Sequence, residues 1–257
     1  MKLTADNYYS TEANMAYWSA STVKSFLDCQ AAGYAEMIGN WTRPDSDALL
    51  IGSYVDAAIE GTLGLFIQSH PELFKRDGTL KSQYSKADEM ARRAMSDPVF
   101  TDYLRGEKQK IVTGNLFGYP FKAKFDVYLP SERIVDVKTV KDLSPVYKTG
   151  QGRLDFATAW NWPLQMAIYQ ALEGNRLPCY LAVITKENPP DIEIVQIEQS
   201  RLDAELEFLE KRMTEFDAIK QGIIEPKRCG RCAFCRATKK LSGAVPLMYY
   251  DGGNELE

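Results

Sequence analysis

Residues and patterns on which several enzyme classes depend are scarce in this sequence of 257 residues. It contains one histidine, His70, which precedes Pro71 in a predicted loop, so a Ser-His-Asp or Cys-His mechanism has little support. No glycine pattern of the Walker or Rossmann type is present, which argues against nucleotide hydrolysis. No apolar run is long enough to cross a bilayer, and residues 1–10 lack the apolar core of a signal peptide. A cytoplasmic protein that does not enter membranes is therefore expected, and its five cysteines are not expected to form disulfides.

Charge is distributed unevenly along the chain. The net charge is −4, which by itself argues weakly against a nucleic-acid partner. Residues 101–153, however, contain 10 Lys or Arg against 6 Asp or Glu, and residues 225–240 contain 6 against 1. A protein that is acidic overall can still have a basic groove for nucleic acid. Ordinary solvated charges are the alternative, and composition does not decide between the two.

Hydrophobic periodicity predicts a mixture of helices and strands. Helices are predicted at residues 19–38, 47–60, 83–95, 156–172 and 200–221, with Ser21 or Thr22 as the cap of the first. Strands are predicted at residues 111–117, 121–129, 133–140, 180–185 and 192–197. This order indicates an α/β fold of mixed α+β character, with a central mixed β-sheet flanked by helices. Residues 1–257 are expected to form one domain, with a helical part at about 19–100, a core at about 105–221 and a cysteine-rich tail at 225–240.

The strongest chemical signal lies in the predicted strand 133–140. Side chains alternate along a strand, so Asp136 and Lys138 share one face. A tight connection to the preceding strand can bring Asp126 beside Asp136, and two converging carboxylates repel each other unless a cation lies between them. Hard oxygen ligands suit Mg²⁺ or Mn²⁺, and the backbone carbonyl of Val137 is a further ligand of that type. Because Lys138 can hold a water nucleophile or stabilise charge on phosphorus, the group predicts metal-assisted phosphodiester hydrolysis.

A predicted helix supplies a third acid to this group. Gly52, Asp56 and Glu60 are spaced by four residues and therefore share one helix face. Asp56 is the expected third oxygen ligand of the metal, and Glu60 is the weaker choice. A surface pair of acids near a helix end is the alternative for these two residues. For the strand acids the alternative is a solvated acid and lysine on an edge strand, because a D-x-K pair alone often occurs by chance.

Residues that could contact DNA flank the acids in the sequence. Lys122 and Lys124 share the predicted strand face of the first acid, so we expect them to contact phosphates. Trp162, Gln165 and Tyr169 share one face of the helix that follows the acidic strand. That face could stack a base and donate a hydrogen bond to a phosphate or to the attacking water. Burial in the core is the commoner fate of tryptophan and is the alternative for Trp162.

Three cysteines lie close together near the end of the sequence, at Cys229, Cys232 and Cys235. This C-x2-C-x2-C run could bind three corners of a 4Fe–4S cluster, as in ferredoxins. A fourth ligand must come from Cys29 or Cys179. Cys179 opens a predicted apolar strand and is expected to be a buried structural thiol, whereas Cys29 lies on a polar stretch of the first helix. Four cysteines also satisfy tetrahedral zinc, so zinc is the alternative to the cluster.

Together these segments resemble a known family. Asp126, then Ile134-Val-Asp136-Val-Lys138, then Gln165-Met-Ala-Ile-Tyr169 are similar to the nuclease core of the PD-(D/E)XK superfamily, which includes RecB, AddB and lambda exonuclease. The resemblance extends over residues 19–236 and is closest to phage and prophage proteins with an exodeoxyribonuclease VIII (RecE)-like domain. It implies a restriction-endonuclease-like core in which the two acids bind the metal, the lysine is catalytic and the Gln-x3-Tyr helix follows. Family members often have a histidine on the early helix, and the matching position here is Asp56.

The resemblance also implies a function. It indicates a metal-dependent deoxyribonuclease, an exonuclease that resects double-stranded ends for phage-type recombination in a bacterial or phage-infected cell. Such resection usually feeds a single-strand annealing protein, while assembly into a homo-oligomer is left open because no motif indicates a ring. One distant and three clustered cysteines resemble the iron–sulfur nucleases of the AddB type, where the cluster joins the two ends of the domain. Alternatives are a non-catalytic DNA-binding module with a cysteine-ligated metal centre, and a structure-specific or restriction-type endonuclease.

Overall fold

The computed structural model describes residues 1–44, 47–148 and 150–247, so the last ten residues of the expected domain lie outside the described residues. Its α-helices are α1 (Thr11–Ala16), α2 (Ala20–Asp28), α3 (Gln30–Met37), α4 (Asp47–Glu60), α5 (Leu63–Ser69), α6 (Ser82–Met95), α7 (Pro98–Tyr103), α8 (Trp162–Glu173), α9 (Gln199–Lys220) and α10 (Ala233–Ala237). Its strands are β1 (Glu107–Leu116), β2 (Tyr119–Leu129), β3 (Arg133–Val140), β4 (Val146–Lys148), β5 (Gly152–Leu154), β6 (Cys179–Thr185) and β7 (Ile192–Ile197). Short 3-10 helices lie at Pro71–Leu73 and Thr158–Trp160.

Five strands form a central mixed sheet in the order β1-β2-β3-β6-β7. The β1–β2, β2–β3 and β6–β7 pairs are antiparallel, and β3 and β6 are parallel. Parallel neighbours need a crossover connection, and α8 lies in the connection between β3 and β6. The same connection contains the separate β4–β5 hairpin. The prediction of a mixed α/β fold with a central sheet flanked by helices is therefore confirmed.

Helices cover both faces of the sheet because alternate residues of each strand point to opposite sides. In β3, Ile134 packs into a core with residues of α2, α8 and α9. Val135 and Val137 of the same strand point to the other side and pack into a second core with residues of α4, α6 and α7. Asp136 alternates with these two valines, so its side chain faces α8. The acid predicted to be catalytic is therefore held between the sheet and the helix that follows it in sequence.

The helix predicted at residues 19–38 is in fact two helices, separated at Cys29. Cys29 has an extended backbone, with φ −167° and ψ 110°, so it ends α2 and precedes α3. The cap of α2 is Ser19, not Ser21 or Thr22 as predicted. The Ser19 hydroxyl accepts from the Thr22 amide, and the Thr22 hydroxyl accepts from the Ser19 amide, which together form a capping box. The sequence pattern did not reveal this break between the helices, because both helices bury apolar residues. The break places Cys29 at a helix junction.

Other predicted elements differ mainly at their ends. The observed bounds of α4, β3 and β7 are the predicted ones. The helix predicted to begin at residue 156 begins at Trp162, because Asn161 has a left-handed backbone with φ 54°. No sequence pattern predicted α1, α5, α7, α10 or the β4–β5 hairpin, which are too short to form without contacts elsewhere in the chain. Within the described part of the chain, no helix has the length and apolar character needed to span a membrane.

Candidate functional site

The candidate active site is a cleft at the point where β2 and β3 separate. The antiparallel pairing of these strands ends at Val127 and Val135, and Asp126 and Asp136 are the next residues of each strand. The Asp126 carboxylate replaces the missing backbone partner, since its Oδ2 accepts a hydrogen bond from the Val137 N–H at 2.9 Å. Both acids line a cleft of about 780 Å³. The predicted approach of the two acids is thus achieved by separating the strands, not by pairing them.

Asp136 and Lys138 form a buried ion pair on β3. Asp136 is 1% exposed, and its Oδ2 contacts the ammonium of Lys138, one pleat away on the same face. The Lys138 Nζ also lies 5.7 Å from the centre of the Trp162 ring. Burial would lower the pKa of Lys138, but the charges of Asp136 and Asp126 outweigh this and raise the pKa. Lys138 is therefore a cation at neutral pH and is not suited to act as a base.

Gln165 on α8 connects the acid to two further groups. Its Nε2 donates to Asp136 Oδ1 at 2.6 Å and to the Tyr169 hydroxyl at 3.1 Å. Its Oε1 accepts from the ammonium of Lys24 at 2.7 Å. Because a lysine can only donate, this contact fixes the orientation of the Gln165 amide. Burial, together with the charge of Asp136, raises the pKa of Tyr169, so its phenol stays neutral and available for hydrogen bonding.

Lys24 on α2 belongs to this site, although no sequence pattern predicted it. Its side chain lines the cleft and contacts Gln165, a residue 141 positions away in sequence. Burial, followed by the positive charge of Lys138, lowers the pKa of Lys24 to about 8. A single lysine in an amphipathic helix usually faces solvent, so the sequence around Lys24 does not distinguish it from a surface residue.

Helix α4 presents two acids to the cleft. Asp56 and Glu60 both line it, as their spacing predicted. Burial raises the pKa of Asp56 to about 7, and the charges of Asp136 and Glu60 add to the rise. Glu60 accepts a hydrogen bond from the side chain of Gln109, which also donates to Asp126 Oδ1 at 3.4 Å. Gln109 thereby links the helix acid to the strand acid, and it has a left-handed backbone with φ 53° that no sequence signal predicted.

A divalent cation fits the chemistry of these oxygen donors. Burial and the charge of Asp136 raise the pKa of Asp126 well above its usual range, and Asp56 adds to the rise. Buried carboxylates that oppose one another's ionisation are stabilised by a bound cation. Their present spacing is wider than that of a completed ligand set. Among the residues that the structure describes, only the four cysteines bring three or more ligand atoms within 4.8 Å of one another.

The two lysines predicted to contact DNA have different surroundings. Lys122 is 1% exposed, and its ammonium donates to the Tyr8 carbonyl and, at 2.8 Å, to Asn14 Oδ1. The prediction that Lys122 contacts DNA is therefore wrong, because the N-terminal segment covers this part of β2. Lys124 lines the cleft, and its ammonium lies 4.9 Å from the centre of the Tyr9 ring. Only Lys124 of the pair is placed to meet a substrate.

Two tryptophans on either side of Asn161 have opposite environments. Trp162 is 9% exposed and packs against Phe156 and Lys138, which leaves little of its ring for a base. The structure therefore does not support the base stacking predicted for Trp162. Trp160, by contrast, is 53% exposed. The left-handed turn at Asn161 separates them, and such a turn is hard to anticipate at a residue other than glycine.

The four predicted cysteine ligands come together at the junction of α2 and α3. The Sγ of Cys235 lies 3.6 Å from that of Cys29 and 3.9 Å from that of Cys229. With Cys232, all four sulfur atoms lie within 4.8 Å of one another. Cys179 is buried in the central sheet, where burial raises its pKa to about 12. The structure thus groups Cys29 with the clustered cysteines and leaves Cys179 apart.

Backbone contacts hold the cysteine tail against the helices. The Ala31 amide donates to the Lys227 carbonyl at 3.0 Å. The Cys229 amide donates to the Cys29 sulfur, and the Cys232 amide donates to the Cys229 sulfur, each at 3.4 Å. Burial opposes ionisation of Cys229, but the backbone amides that follow it outweigh burial and lower its pKa to about 6. A thiolate is the form that binds a metal. Burial raises the pKa of Cys29, and raises that of Cys232 to about 12, so these two thiols ionise less readily than Cys229.

Comparisons with known proteins show the family and the fold of this chain. Residues 19–238 match the model of the family described as "PDDEXK-like domain of unknown function (DUF3799)". A crystal structure described as a "putative exonuclease" from Eubacterium rectale is 37% identical, with a TM-score of 0.94 over 99% of this chain and 100% of that chain. A comparison with curated proteins gives no match. Since the family model covers most of the sequence and the fold agrees with it, this chain belongs to the PDDEXK-like domain family DUF3799.

Proposed function

We propose that this protein is a metal-dependent deoxyribonuclease that hydrolyses phosphodiester bonds in the cleft beside β2 and β3. The observation that carries the proposal is the meeting of Asp126, Asp136 and Lys138 where the two strands separate. Paired carboxylates beside a fixed ammonium, in an open cleft, can bind a cation and a phosphate together. Membership of a PDDEXK-like family supports a nuclease.

The oxygen donors of the cleft would hold Mg²⁺ or Mn²⁺. Asp126 and Asp136 are the main ligands in this proposal. Asp56 and the backbone carbonyl of Val137 are the remaining protein ligands. Hard carboxylate and carbonyl oxygens favour these ions over metals that prefer thiolates. When bound, the ion lowers the pKa of a coordinated water and offsets the charge of the phosphate. The raised pKa values of Asp126 and Asp56 support the proposal, because a cation would offset the repulsion between these buried groups.

Lys138 and Gln165 have separate tasks in this proposal. Lys138 remains protonated and can stabilise the negative charge that develops on the phosphate during attack. Gln165 holds Asp136 by a 2.6 Å hydrogen bond, while Lys24 and Tyr169 hold Gln165 itself. Gln165 and Tyr169 thus act by positioning the metal-binding carboxylate, and positioning of this kind supports metal affinity and rate.

We propose, more specifically, an exonuclease that degrades double-stranded DNA from its ends. The Eubacterium rectale protein is described as a "putative exonuclease", and the sequence motifs resemble those of RecE-like proteins. Resection of this kind would serve phage-type recombination, with a single-strand annealing protein as the partner that receives the product strand.

A panel of three DNA substrates tests the proposal. Wild-type protein is incubated with Mg²⁺ or Mn²⁺ and with an end-labelled linear duplex, the same duplex closed by hairpins, or a supercoiled circle. We expect loss of the open linear duplex from its ends and little change in the other two. Cutting of the circle would indicate an endonuclease instead. Binding without cleavage at any metal concentration would contradict catalysis and favour a non-catalytic DNA-binding module.

We also propose that Cys29, Cys229, Cys232 and Cys235 bind one structural metal centre. The sulfur atoms already lie together, and Cys29 is 200 residues from Cys229 in sequence. Ligation would therefore join the first helices to the C-terminal tail and close almost the whole chain into a loop. Closing so long a loop restrains the unfolded chain, and the ligand bonds add folding free energy.

Two occupants of this centre are chemically suitable, and different observations favour each. The C-x2-C-x2-C run and the likeness to AddB-type nucleases favour a 4Fe–4S cluster. The sulfur spacing favours a single tetrahedral zinc, because Zn–S bonds of about 2.3 Å place the sulfur atoms roughly 3.8 Å apart, whereas a cubane binds each sulfur to a different iron. Anaerobic purification decides between them. Brown protein with iron and labile sulfide indicates the cluster, colourless protein with one zinc indicates the single ion, and protein without either contradicts the centre.

A further inference from the structure

The catalytic cleft continues into a second cavity of similar size. The cleft occupies about 780 Å³ and the second cavity about 770 Å³. Asp56, Val137 and Lys138 line both. Asp56 and Lys138 therefore lie where the two cavities meet, and the groove extends from them in both directions. A substrate that continues beyond the reacting phosphate in both directions can occupy such a groove.

One end of the groove carries an exposed aromatic group beside a lysine. Trp160 lines the second cavity with 53% of its surface exposed. The Lys148 ammonium of β4 lies 5.2 Å from the centre of the Trp160 ring. The hairpin therefore places a cation beside the exposed indole.

The other end of the groove has the same combination. Tyr9 lines the catalytic cleft with 67% of its surface exposed. The Lys124 ammonium lies 4.9 Å from the centre of its ring. An aromatic side chain paired with a lysine thus lines each of the two cavities that meet at Asp56, Val137 and Lys138.

Single exposed aromatic residues are common on protein surfaces and need no explanation. Here, however, two of them lie along the groove that holds the catalytic residues, and each has a lysine over its ring. An aromatic face stacks on a base, and a neighbouring ammonium contacts a phosphate, so each pair is complementary to one nucleotide. The core does not need either ring, because both are more than half exposed.

We propose that Trp160 with Lys148, and Tyr9 with Lys124, bind unpaired nucleotides on the two sides of the scissile phosphate, so that a single DNA strand runs along the groove. This inference rests on the proposed nuclease function and names the form of DNA that the site accepts. Inside a duplex each base face is covered by its neighbours and is not available to an aromatic side chain. A duplex end must therefore open by a few nucleotides before it is cleaved.

Binding measurements on a cleavage-inactive Lys138→Ala background test the proposal. Fluorescence anisotropy with an oligothymidylate is compared with that of a duplex of equal length closed by hairpins at both ends. Trp160→Ala should weaken binding of the single strand about tenfold, as expected for loss of one stacked base, and leave the closed duplex within twofold. Trp160→Phe should retain most of the affinity because phenylalanine can still stack. Lys148→Ala should lower the salt slope of single-strand binding by about 0.7.

Matched controls are available elsewhere on the surface. Ile223 is 71% exposed, and Lys211 forms an exposed ion pair with Glu207 on α9. Ile223→Ala and Lys211→Ala should leave both affinities unchanged. An unchanged single-strand affinity in Trp160→Ala would overturn the proposal. Equal losses for the single strand and the closed duplex would also overturn it, since stacking on an unpaired base cannot produce that result.

Failure of this inference can be separated from failure of the proposed function. If the wild-type protein degrades DNA but Trp160→Ala, in the Lys138→Ala background, binds single strands normally, the nuclease function stands and the strand path is wrong. If Trp160→Ala loses single-strand affinity but the unsubstituted protein cleaves no DNA, the strand path stands and the catalytic proposal is wrong. Tyr9→Ala in the same assay tests the second end of the groove, and we expect a loss of similar size.

Discussion

The acidic cleft and the cysteine centre each place groups suited to metal binding close together, but they contribute differently to the fold. In the cleft, burial and neighbouring charge raise the pKa values of Asp126 and Asp56, so the folded protein disfavours the ionised forms that bind a metal. At the cysteine centre, backbone amides lower the pKa of Cys229, whereas burial raises the pKa values of Cys29 and Cys232. The two sites therefore differ in what they join, not in the ionisation of their groups. The cleft acids line an open groove, whereas the four cysteines connect the junction of α2 and α3 to a segment 200 residues later.

This contrast predicts which property each site controls. Replacing Asp56 or Asp126 should reduce activity and leave the stability of the metal-free protein unchanged or improved, because the cost of ionising a buried carboxyl disappears. Replacing a cysteine should reduce stability first, and activity only as a consequence. The following changes test the contrast, in order of the size of the expected effect.

Asp126→Asn, Asp136→Asn and Lys138→Ala should each reduce the cleavage rate by about a thousandfold or more, because each removes charge that stabilises the transition state. Cleavage of end-labelled linear duplex at saturating Mg²⁺ or Mn²⁺ measures the effect, and thermal melting checks that each variant is folded. Asp203→Asn is the matched control, since Asp203 forms an exposed ion pair with Arg176. Turnover near that of the wild type in any of the three variants would remove that residue from the mechanism.

Lys24→Met should lower kcat by about 10- to 100-fold with little change in melting temperature, because groups that orient metal ligands contribute on this scale. Without the ammonium, the Gln165 amide is free to turn and no longer presents its Nε2 to Asp136. The affinity for Mn²⁺, measured by calorimetry, should fall with kcat, while KM for DNA should change less. Lys211→Met on α9 is the control. A normal kcat and a normal Mn²⁺ affinity in Lys24→Met would refute the positioning role.

Cys29→Ser should lose the bound metal and lower the melting temperature by about 10 °C. Structural metal sites contribute several kcal/mol, and each kcal/mol corresponds to about 2–4 °C in a chain of this size. Metal analysis and differential scanning calorimetry measure the two effects, and Cys232→Ser should behave in the same way. Cys179→Ala is the matched control, because its thiol lies in the sheet and should leave the metal content unchanged. If Cys29→Ser keeps both metal and melting temperature, Cys29 is not a ligand.

Asp56→Asn should stabilise the metal-free protein at pH 8 but not at pH 5. Burial raises the pKa of the folded-state Asp56 to about 7, above an unfolded value of about 3.9. Protonated Asp56 contributes fully to the free energy of unfolding when the pH is below the pKa of the unfolded state. This contribution is lost as the pH rises through the pKa of the folded state, about 7. Allowing for solvent screening, the loss is roughly 2 kcal/mol, or about 5 °C.

Melting curves are recorded from pH 5 to pH 8 without divalent metal. The effect is the difference in melting temperature between Asp56→Asn and the wild type. The difference should grow with pH and shrink when Mn²⁺ is added to the wild type. Asp203→Asn serves as the control, because hydrogen bonds from Arg176 lower the pKa of Asp203. A difference that does not depend on pH would mean that Asp56 is ionised in the folded protein throughout this range.

The sequence predicted the parts of the site that follow from local alternation. Asp136 and Lys138 are two residues apart on a strand, so a shared face follows from the geometry of the strand alone. The Gln-x3-Tyr spacing on a helix similarly predicted that Gln165 and Tyr169 lie together, and they do. The spacing of Asp56 and Glu60 correctly placed both on one face of α4.

The parts that the sequence did not predict depend on contacts between distant segments. Lys122 has the pattern of a surface lysine, yet a segment 114 residues earlier covers it and accepts its hydrogen bond. Lys24 enters the site only because α2 packs beside α8, 141 residues later in the chain. The separation of β2 from β3 at Asp126 also has no local signal, because both strands keep their alternating pattern through the point of separation. Periodicity describes one element at a time and cannot report such contacts.

Removing the metal of the cleft while the cysteine centre keeps its own metal tests the account most directly. The protein is dialysed against a chelator under conditions in which metal analysis shows that the cysteine centre keeps its metal, and cleavage and melting temperature are then measured. We expect complete loss of cleavage, full recovery on addition of Mg²⁺ or Mn²⁺, and a melting temperature within a few degrees of the starting value. Cleavage that persists in the chelator, or that returns only when the metal of the cysteine centre is replaced, would contradict the division between a catalytic cleft and a structural centre.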